Sequence, residues 1–284
     1  MPDADVKPKV TLVNYSDDRF GHKGAVFKRA QQAMSESALK HGVDAVVSWN
    51  WEMLSATDFY REHREYLDRP YHLNGFAFKP FIVSQVLNDM REGDVLIYYD
   101  SGDGTHVFDT SVAPLVEMCV KNGGTLIHQW GETNQKWCKR DCFYFMDMDE
   151  PKYHQATAMQ ATWFVLQKNE FTQRFVSEYL RFTLDERVAS YDNRCVCGLP
   201  DLPGFVENRG DQSVLSLLAC KYGLRTFQGA GGQANRVIGN FVRWYTMAGR
   251  CQILSRRCLE WVKLKWKGLL RRLNVLRCVA GLVA

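Results

Sequence analysis

The sequence predicts an α/β fold, a single Rossmann-like domain with a mostly parallel central sheet, followed by a basic amphipathic helical tail. Three observations carry that prediction. Short apolar strands alternate with helix-patterned segments from Lys9 to Gln129, the signature of a sheet covered on both faces. The apolar strand Asp94 to Tyr99 stops abruptly on Asp100-Ser101-Gly102-Asp103-Gly104. The segment 241–284 holds ten Lys/Arg and one acid, Glu260, a local charge of +9.

Lys9 to Asn14 reads as the first strand and ends on Tyr15-Ser16-Asp17-Asp18, a loop at a strand's carboxyl end where α/β proteins place ligands. Val26, Ala30, Met34 and Leu39 recur at helical spacing between Gly24 and His41, and Gly42 closes that helix. Asp44 to Trp49 is the second strand, and Thr57 to Asp68 a charged helix. Phe78-Lys79-Pro80 opens a helix running to Met90, with Pro80 in the first turn where its missing N–H costs nothing. A helix over Asp109 to Asn122, stopped by Gly123-Gly124, leads to a strand at Thr125 to Gln129.

Beyond Gln129 the alternation fades. Trp130 to Tyr153 reads as irregular, Thr157 to Gln167 as one strand, and Asn169 to Phe182 as an amphipathic helix. Leu184 to Arg209 is a long loop, and loops of that length inside a compact domain are usually functional. Asp211 to Tyr222 is a helix that begins directly on Asp211-Gln212-Ser213, with Asp211 placed as its cap. The domain is expected over residues 1–240 and the tail over 241–284. There Cys258, Val262, Trp266, Leu269, Leu273 and Leu276 form an apolar stripe between basic residues, the pattern of a helix lying on an anionic membrane surface.

Composition excludes several classes. The 284 residues are 46% hydrophobic and 24% charged, an ordinary globular balance. No apolar run is long enough to span a bilayer, and the polar opening MPDADVKPK lacks the apolar region of a signal peptide. Nine cysteines, an odd number in a long chain, suit a reducing compartment better than a disulfide framework. The expected location is cytoplasmic and peripheral to a membrane. Cys138-x-x-x-Cys142 with Cys195-x-Cys197 is the one zinc arrangement to weigh, and neither spacing is that of a C-x-x-C knuckle. Outside the tail, 26 basic and 31 acidic residues give −5, which argues against a nucleic-acid binder.

Three short motifs carry the chemistry. Asp100, with Gly102 permitting close approach, is placed to hold a phosphate through a divalent cation, Mn²⁺ or Mg²⁺, with Asp103 as second ligand. The bland reading of the same residues is an acidic turn. Lys79 can reach the same cleft from its helix, or be a solvated helix-end lysine. Asp211 and Gln212 can hydrogen-bond sugar hydroxyls and steady an oxocarbenium-like transition state, or merely cap a helix.

Phe78-Lys79-Pro80, then Tyr98-Tyr99-Asp100-Ser101-Gly102, then Gly210-Asp211-Gln212-Ser213 opening a helix together resemble a GT-A-fold, nucleotide-sugar-dependent glycosyltransferase. The resemblance spans roughly residues 9–225. It implies Asp211 and Gln212 as catalytic residues beside the donor sugar. It implies Tyr15, Lys79, Tyr99, Asp100, Ser101, Gly102 and Arg209 as donor-binding, and Lys139, Arg140 and Asp192 as an acceptor or diphosphate loop. The same likeness leans toward retention of anomeric configuration, and the basic tail would dock the enzyme where a glycan or lipid-linked acceptor lies at the membrane surface. Two departures bear on the metal: the acidic motif is Asp100-Ser101-Gly102 rather than D-x-D, and all seven histidines precede Asp211. The alternative is a non-catalytic membrane adaptor on an α/β scaffold. Other nucleotide enzymes are disfavoured, because no G-x-G-x-x-G follows the first strand and no G-x-x-x-x-G-K-[ST] occurs.

Overall fold

The computed structural model describes residues 7–17, 19, 22–69, 74–102, 106–228 and 237–247. The chain divides into two compact units, 1–242 and 243–284. The basic stripe of the tail, and with it the expected membrane helix, lies outside the described residues, as does Asp103.

The first half follows the expected alternation. In order come β1 (Val10–Ser16), α1 (His22–Lys40), β2 (Ala45–Asn50), α2 (Trp51–Ser55), α3 (Asp58–Leu67), α4 (Phe78–Asp89), β3 (Val95–Tyr99) and α5 (Ala113–Lys121). The short α2 was not expected. Asn50 caps it by accepting from the Met53 N–H at 2.8 Å. α5 starts later than the apolar pattern implies, because Pro114 is tolerated only in a first turn.

The second half departs further. It runs β4 (Thr125–Leu126), β5 (Gln129–Thr133), α6 (Asn134–Trp137), α7 (Arg140–Phe145), α8 (Pro151–His154), β6 (Thr157–Met159) and β7 (Trp163–Gln167). It closes with α9 (Glu170–Thr183), α10 (Glu186–Ala189) and α11 (Asp211–Lys221). The stretch expected to be irregular thus holds one strand and three short helices. The single strand expected over Thr157 to Gln167 is two strands in two different sheets.

The main sheet has the order β2-β1-β3-β7-β4. β1 pairs in parallel with β2 and β3, while β7 runs antiparallel to both of its neighbours. Four strands therefore point one way and β7 alone is reversed. β5 and β6 form a separate two-stranded sheet. The fold is mixed α/β with a mostly parallel central sheet.

Strand alternation sorts the core. Leu96 and Tyr98 of β3 face one apolar layer with α4, α9 and α11, whereas Val95, Ile97 and Tyr99 face the other. Ile238, Phe241 and Val242, from a helix over 238–247, fill that second layer. Residues 241 and 242, expected to begin the tail, are therefore core.

The carboxyl ends of β1 and β3 lie side by side and open onto the site, so the start of β1 must be fixed. Asp94 does this: its carboxylate accepts the Lys9 N–H at 2.9 Å and two N–H groups of Arg91. Burial alone would raise its pKa, but Arg91 and the Lys9 N–H outweigh burial and hold it below its ordinary value of 3.8. A depressed carboxylate stabilises the fold at pH above that ordinary value and loses its contribution as pH falls through the lower, folded value. Asp94→Ala is expected to cost about 2 kcal/mol at neutral pH and to flatten the acid limb of stability below pH 3.8, measured by urea unfolding across pH.

Candidate functional site

α4 is buried on nearly every side, with Pro80, Phe81, Ile82, Val83, Val86 and Leu87 all in the core, as expected of a helix apolar all round. Lys79, in its first turn, is buried with them and is only 4% exposed. A lysine there needs partners, and it has three. Its Nζ donates to the Ala161 carbonyl at 3.0 Å and stands 3.2 Å from Asp100 Oδ1 and 2.6 Å from Asp211 Oδ2. The ammonium also lies over the ring of Tyr98 at 5.1 Å.

Each acceptor arrives by a local feature of the chain. Asp100 is the first residue past β3. Tyr98, two residues earlier on the same strand face, donates its hydroxyl to Asp100 Oδ1 at 2.7 Å. Ala161 sits in the break between β6 and β7, so its carbonyl is not spent on a ladder. That break explains why the apolar run does not form one strand. Asp211 is the first residue of α11. The cap position is Gly210, not Asp211, and the Asp211 carboxylate turns inward to Lys79 and to the Tyr179 hydroxyl at 3.2 Å. Ser213 serves the helix start instead, accepting the Arg209 N–H at 3.0 Å.

The electrostatics follow from burial. Desolvation works against the charge of Lys79, but Asp100 and Asp211 outweigh it and hold the ammonium above its ordinary pKa. Burial pushes the Asp211 carboxyl up against the pull of Lys79, with Asp100 adding to the upward push. One ammonium between two carboxylates keeps its proton at any physiological pH. Tyr98 and Tyr179 are pushed well up, first by burial and then by the neighbouring carboxylates, so both remain phenols that donate.

This cluster forms one wall of a cavity of about 300 Å³ at the carboxyl edge of β1 and β3. Toward β1 the wall is aromatic and basic: Tyr15 packs on Phe78 at 4.3 Å, and the Arg19 guanidinium lies 3.2 Å from the centre of the Trp51 ring. Toward α11 lie Trp130, Tyr191, Arg209 and Gln212. Arg209 rests 4.6 Å from the centre of the Trp137 ring and pairs with Glu207 at 2.6 Å, while its buried Nε has no hydrogen-bond partner. Two glycines let the walls close. A Cβ on Gly102 (φ +61°) would fall 2.5 Å from His106 Nδ1, and one on Gly210 (φ +57°) 2.5 Å from the Tyr191 ring. Phe76 is held at φ +56° without being glycine, a strained conformation in the cavity wall.

Of the residues singled out in the sequence, Tyr15, Lys79, Asp100, Ser101, Gly102, Arg209, Asp211 and Gln212 all line this cavity. Ser101 also ties the two strand ends together, donating to the Tyr15 carbonyl at 2.7 Å. Tyr99 does not line it. Strand alternation turns its ring to the opposite layer, where it stacks on His106, and Tyr98 takes the expected place. Lys139, Arg140 and Asp192 do not line it either. Lys139 is buried with its Nζ on the Asp192 carbonyl at 2.9 Å, Arg140 pairs with Asp149, and the Asp192 side chain pairs with Arg194, which lowers its pKa to about 2. Lys139 Nζ and the Arg140 N–H, which donates to Asp201 at 2.7 Å, brace the long loop that delivers Tyr191 and Arg209. The sequence reading missed Tyr98, Ala161 and Tyr179; only Tyr98 was signalled, by its position two residues before Asp100.

The expected divalent cation does not fit these residues as they stand. Among the described residues no three His, Cys, Asp or Glu side chains gather closely enough to hold a metal ion. Asp100 and Asp211 already share the ammonium of Lys79. The cysteines weighed for zinc have other partners: Cys142 donates to the Val188 carbonyl at 3.2 Å, and Cys195 to Asp201 at 3.2 Å.

Removing the ammonium leaves the buried Asp211 carboxylate without its counter-charge and beside the part-exposed Asp100. Lys79→Met is expected to destabilise the fold by about 3–5 kcal/mol at neutral pH, as for breaking a buried ion pair. The loss should shrink as pH falls and the carboxyls take up protons, and Lys79→Met/Asp211→Asn should recover part of it; urea unfolding at pH 5 and 7.5 reads both.

Neither a family model nor a curated protein sequence matches the chain. Among solved structures, it is similar to the apo crystal structure of mouse xyloside xylosyltransferase 1, at 10% identity over 78% of this chain and 85% of that one, with a TM-score of 0.44. A likeness of that degree fixes neither activity nor substrate.

Proposed function

We propose that the protein is a glycosyltransferase that takes a nucleotide-activated sugar and passes it to a glycan or lipid-linked acceptor. The observation that carries this is the meeting of Lys79, Asp100 and Asp211, from three separated stretches of chain, in one cavity at the carboxyl edge of parallel strands. A flat ring needs apolar faces, and the β1 end of the cavity supplies Tyr15, Phe27 and Trp51. A diphosphate needs cations, and Arg19, Arg69 and Arg209 stand in the walls. A sugar needs fixed acceptors and donors, and Asp211 and Gln212 stand at the opening of α11.

In this reading the base and diphosphate enter along β1 and the end of β3, with the sugar toward α11. Charge on the leaving diphosphate is met by arginine, and positive charge developing at the sugar is met by the Asp211 carboxylate. Asp211 is held by Lys79 and Tyr179 rather than left free to accept a proton from an acceptor hydroxyl. That supports an electrostatic role for it and retention of anomeric configuration. The +9 segment 241–284 would hold the enzyme at an anionic membrane surface beside its acceptor. Among the described residues no helix is long and apolar enough to cross a membrane.

A thermal-shift panel of nucleoside diphosphates tests the reading. One base should stabilise the protein selectively, through ligand linkage, and Arg209→Ala should weaken that binding by about tenfold or more without lowering the melting temperature of the free protein by more than a few degrees. Uniform indifference to every nucleoside diphosphate and nucleotide sugar would sink it.

A further inference from the structure

We propose that the ammonium of Lys79 is the resident cation of this site, and that Asp100 and Asp211 take no divalent metal while it is in place. The inference deepens the nucleotide-sugar reading and takes its functional meaning from it. Its physical basis is independent of any nucleotide.

An ammonium has three N–H donors. Those of Lys79 have three acceptors within reach: Asp100 Oδ1 at 3.2 Å, Asp211 Oδ2 at 2.6 Å and the Ala161 carbonyl at 3.0 Å. Its coordination is complete with protein oxygens alone. The same two carboxylate oxygens receive a second donor each, from Tyr98 at 2.7 Å and from Tyr179 at 3.2 Å. Mg²⁺ or Mn²⁺ would be left the other oxygen of each carboxylate, that of Asp211 buried, and would have to settle beside a fixed positive charge.

The lysine cannot readily move aside. Its side chain is 5% exposed, on a helix buried on nearly every side, and swinging it out would strip the buried Asp211 carboxylate of its counter-charge. A divalent ion also calls for about six oxygen ligands at roughly 2.1 Å. No grouping of three His, Cys, Asp or Glu exists among the described residues to start such a shell. Lys79 has no donor to spare for phosphate, so the diphosphate is left to the arginines. Arg209 has a buried Nε–H with no partner.

Mn²⁺ itself is the probe. The full chain is titrated with Mn²⁺ at neutral pH and bound ion is read by electron paramagnetic resonance, with melting temperature alongside. Wild type should bind no Mn²⁺ tightly and melt identically in millimolar Mn²⁺ and in EDTA. Lys79→Met should gain a site, bind Mn²⁺ at least about tenfold more tightly than wild type, and melt higher when the ion is added. Should Lys79→Met not fold, wild type against Asp100→Asn decides: about one Mn²⁺ held per wild-type chain and released by Asp100→Asn overturns the proposal. A folded Lys79→Met that gains no Mn²⁺ overturns it too. Nucleotide plays no part in these measurements, so failure to bind any nucleoside diphosphate would sink the functional reading without touching this one.

Discussion

One buried ammonium between two carboxylates is the interaction on which the rest of the site depends. Burying Lys79 or Asp211 alone would cost several kcal/mol, and Asp100, about a third exposed, adds a counter-charge at the edge of the pair. Together, they satisfy one another only if α4, the end of β3 and the start of α11 meet within hydrogen-bonding distance. The charge cluster therefore specifies how those elements are assembled. It also explains features that would otherwise look accidental, among them the break between β6 and β7 that frees the Ala161 carbonyl and the inward turn of the first α11 carboxylate.

The apolar surroundings make that specification strict. The layer formed by α4, α9 and α11 against one face of the sheet keeps water away from Lys79, so each lost partner is felt in full. The same layer supplies Tyr98 and Tyr179 as donors to the two carboxylates. In the cavity wall aromatic side chains take over: Phe76 meets both Phe78 and Tyr191 edge to face. A rigid charged floor beneath an aromatic and arginine-lined wall is an arrangement suited to a ligand with a flat ring, an anionic centre and a polyol.

The sequence made the floor legible and left most of the walls obscure. Lys79, Asp100 and Asp211 stood out because each breaks an apolar pattern at an element boundary, and boundaries in α/β folds gather at one sheet edge. Their partners did not stand out. Ala161 contributes through its backbone, which no side-chain pattern reports, and Tyr179 reads as one more aromatic on the apolar face of α9. Tyr98 and Tyr99 are adjacent, and choosing between them required the strand's phase, which the Asp100 side chain fixes. The first half of the fold was readable since its strands are separated by helix-patterned segments, the nineteen-residue α1 and the twelve-residue α4 among them. The second half was not: β5, β6 and α6 to α8 are three to six residues each, too short for periodicity to show. Lys139, Arg140 and Asp192 looked like a charged binding loop, but Lys139 holds the Asp192 carbonyl, the Arg140 side chain pairs with Asp149 while its N–H holds Asp201, and Asp192 pairs with Arg194.

The role proposed for the Lys79, Asp100 and Asp211 cluster is the floor of a sugar-donor site. Turnover tests it most directly. The purified full chain is incubated with a panel of nucleotide sugars, and released nucleoside diphosphate is followed with water as the default acceptor. The account predicts slow, selective hydrolysis of one donor, reduced about a hundredfold or more in Gln212→Ala, whose folded-state melting temperature should match wild type. Turnover unchanged by Gln212→Ala and by Asp211→Asn, or no turnover of any nucleotide sugar, would contradict it.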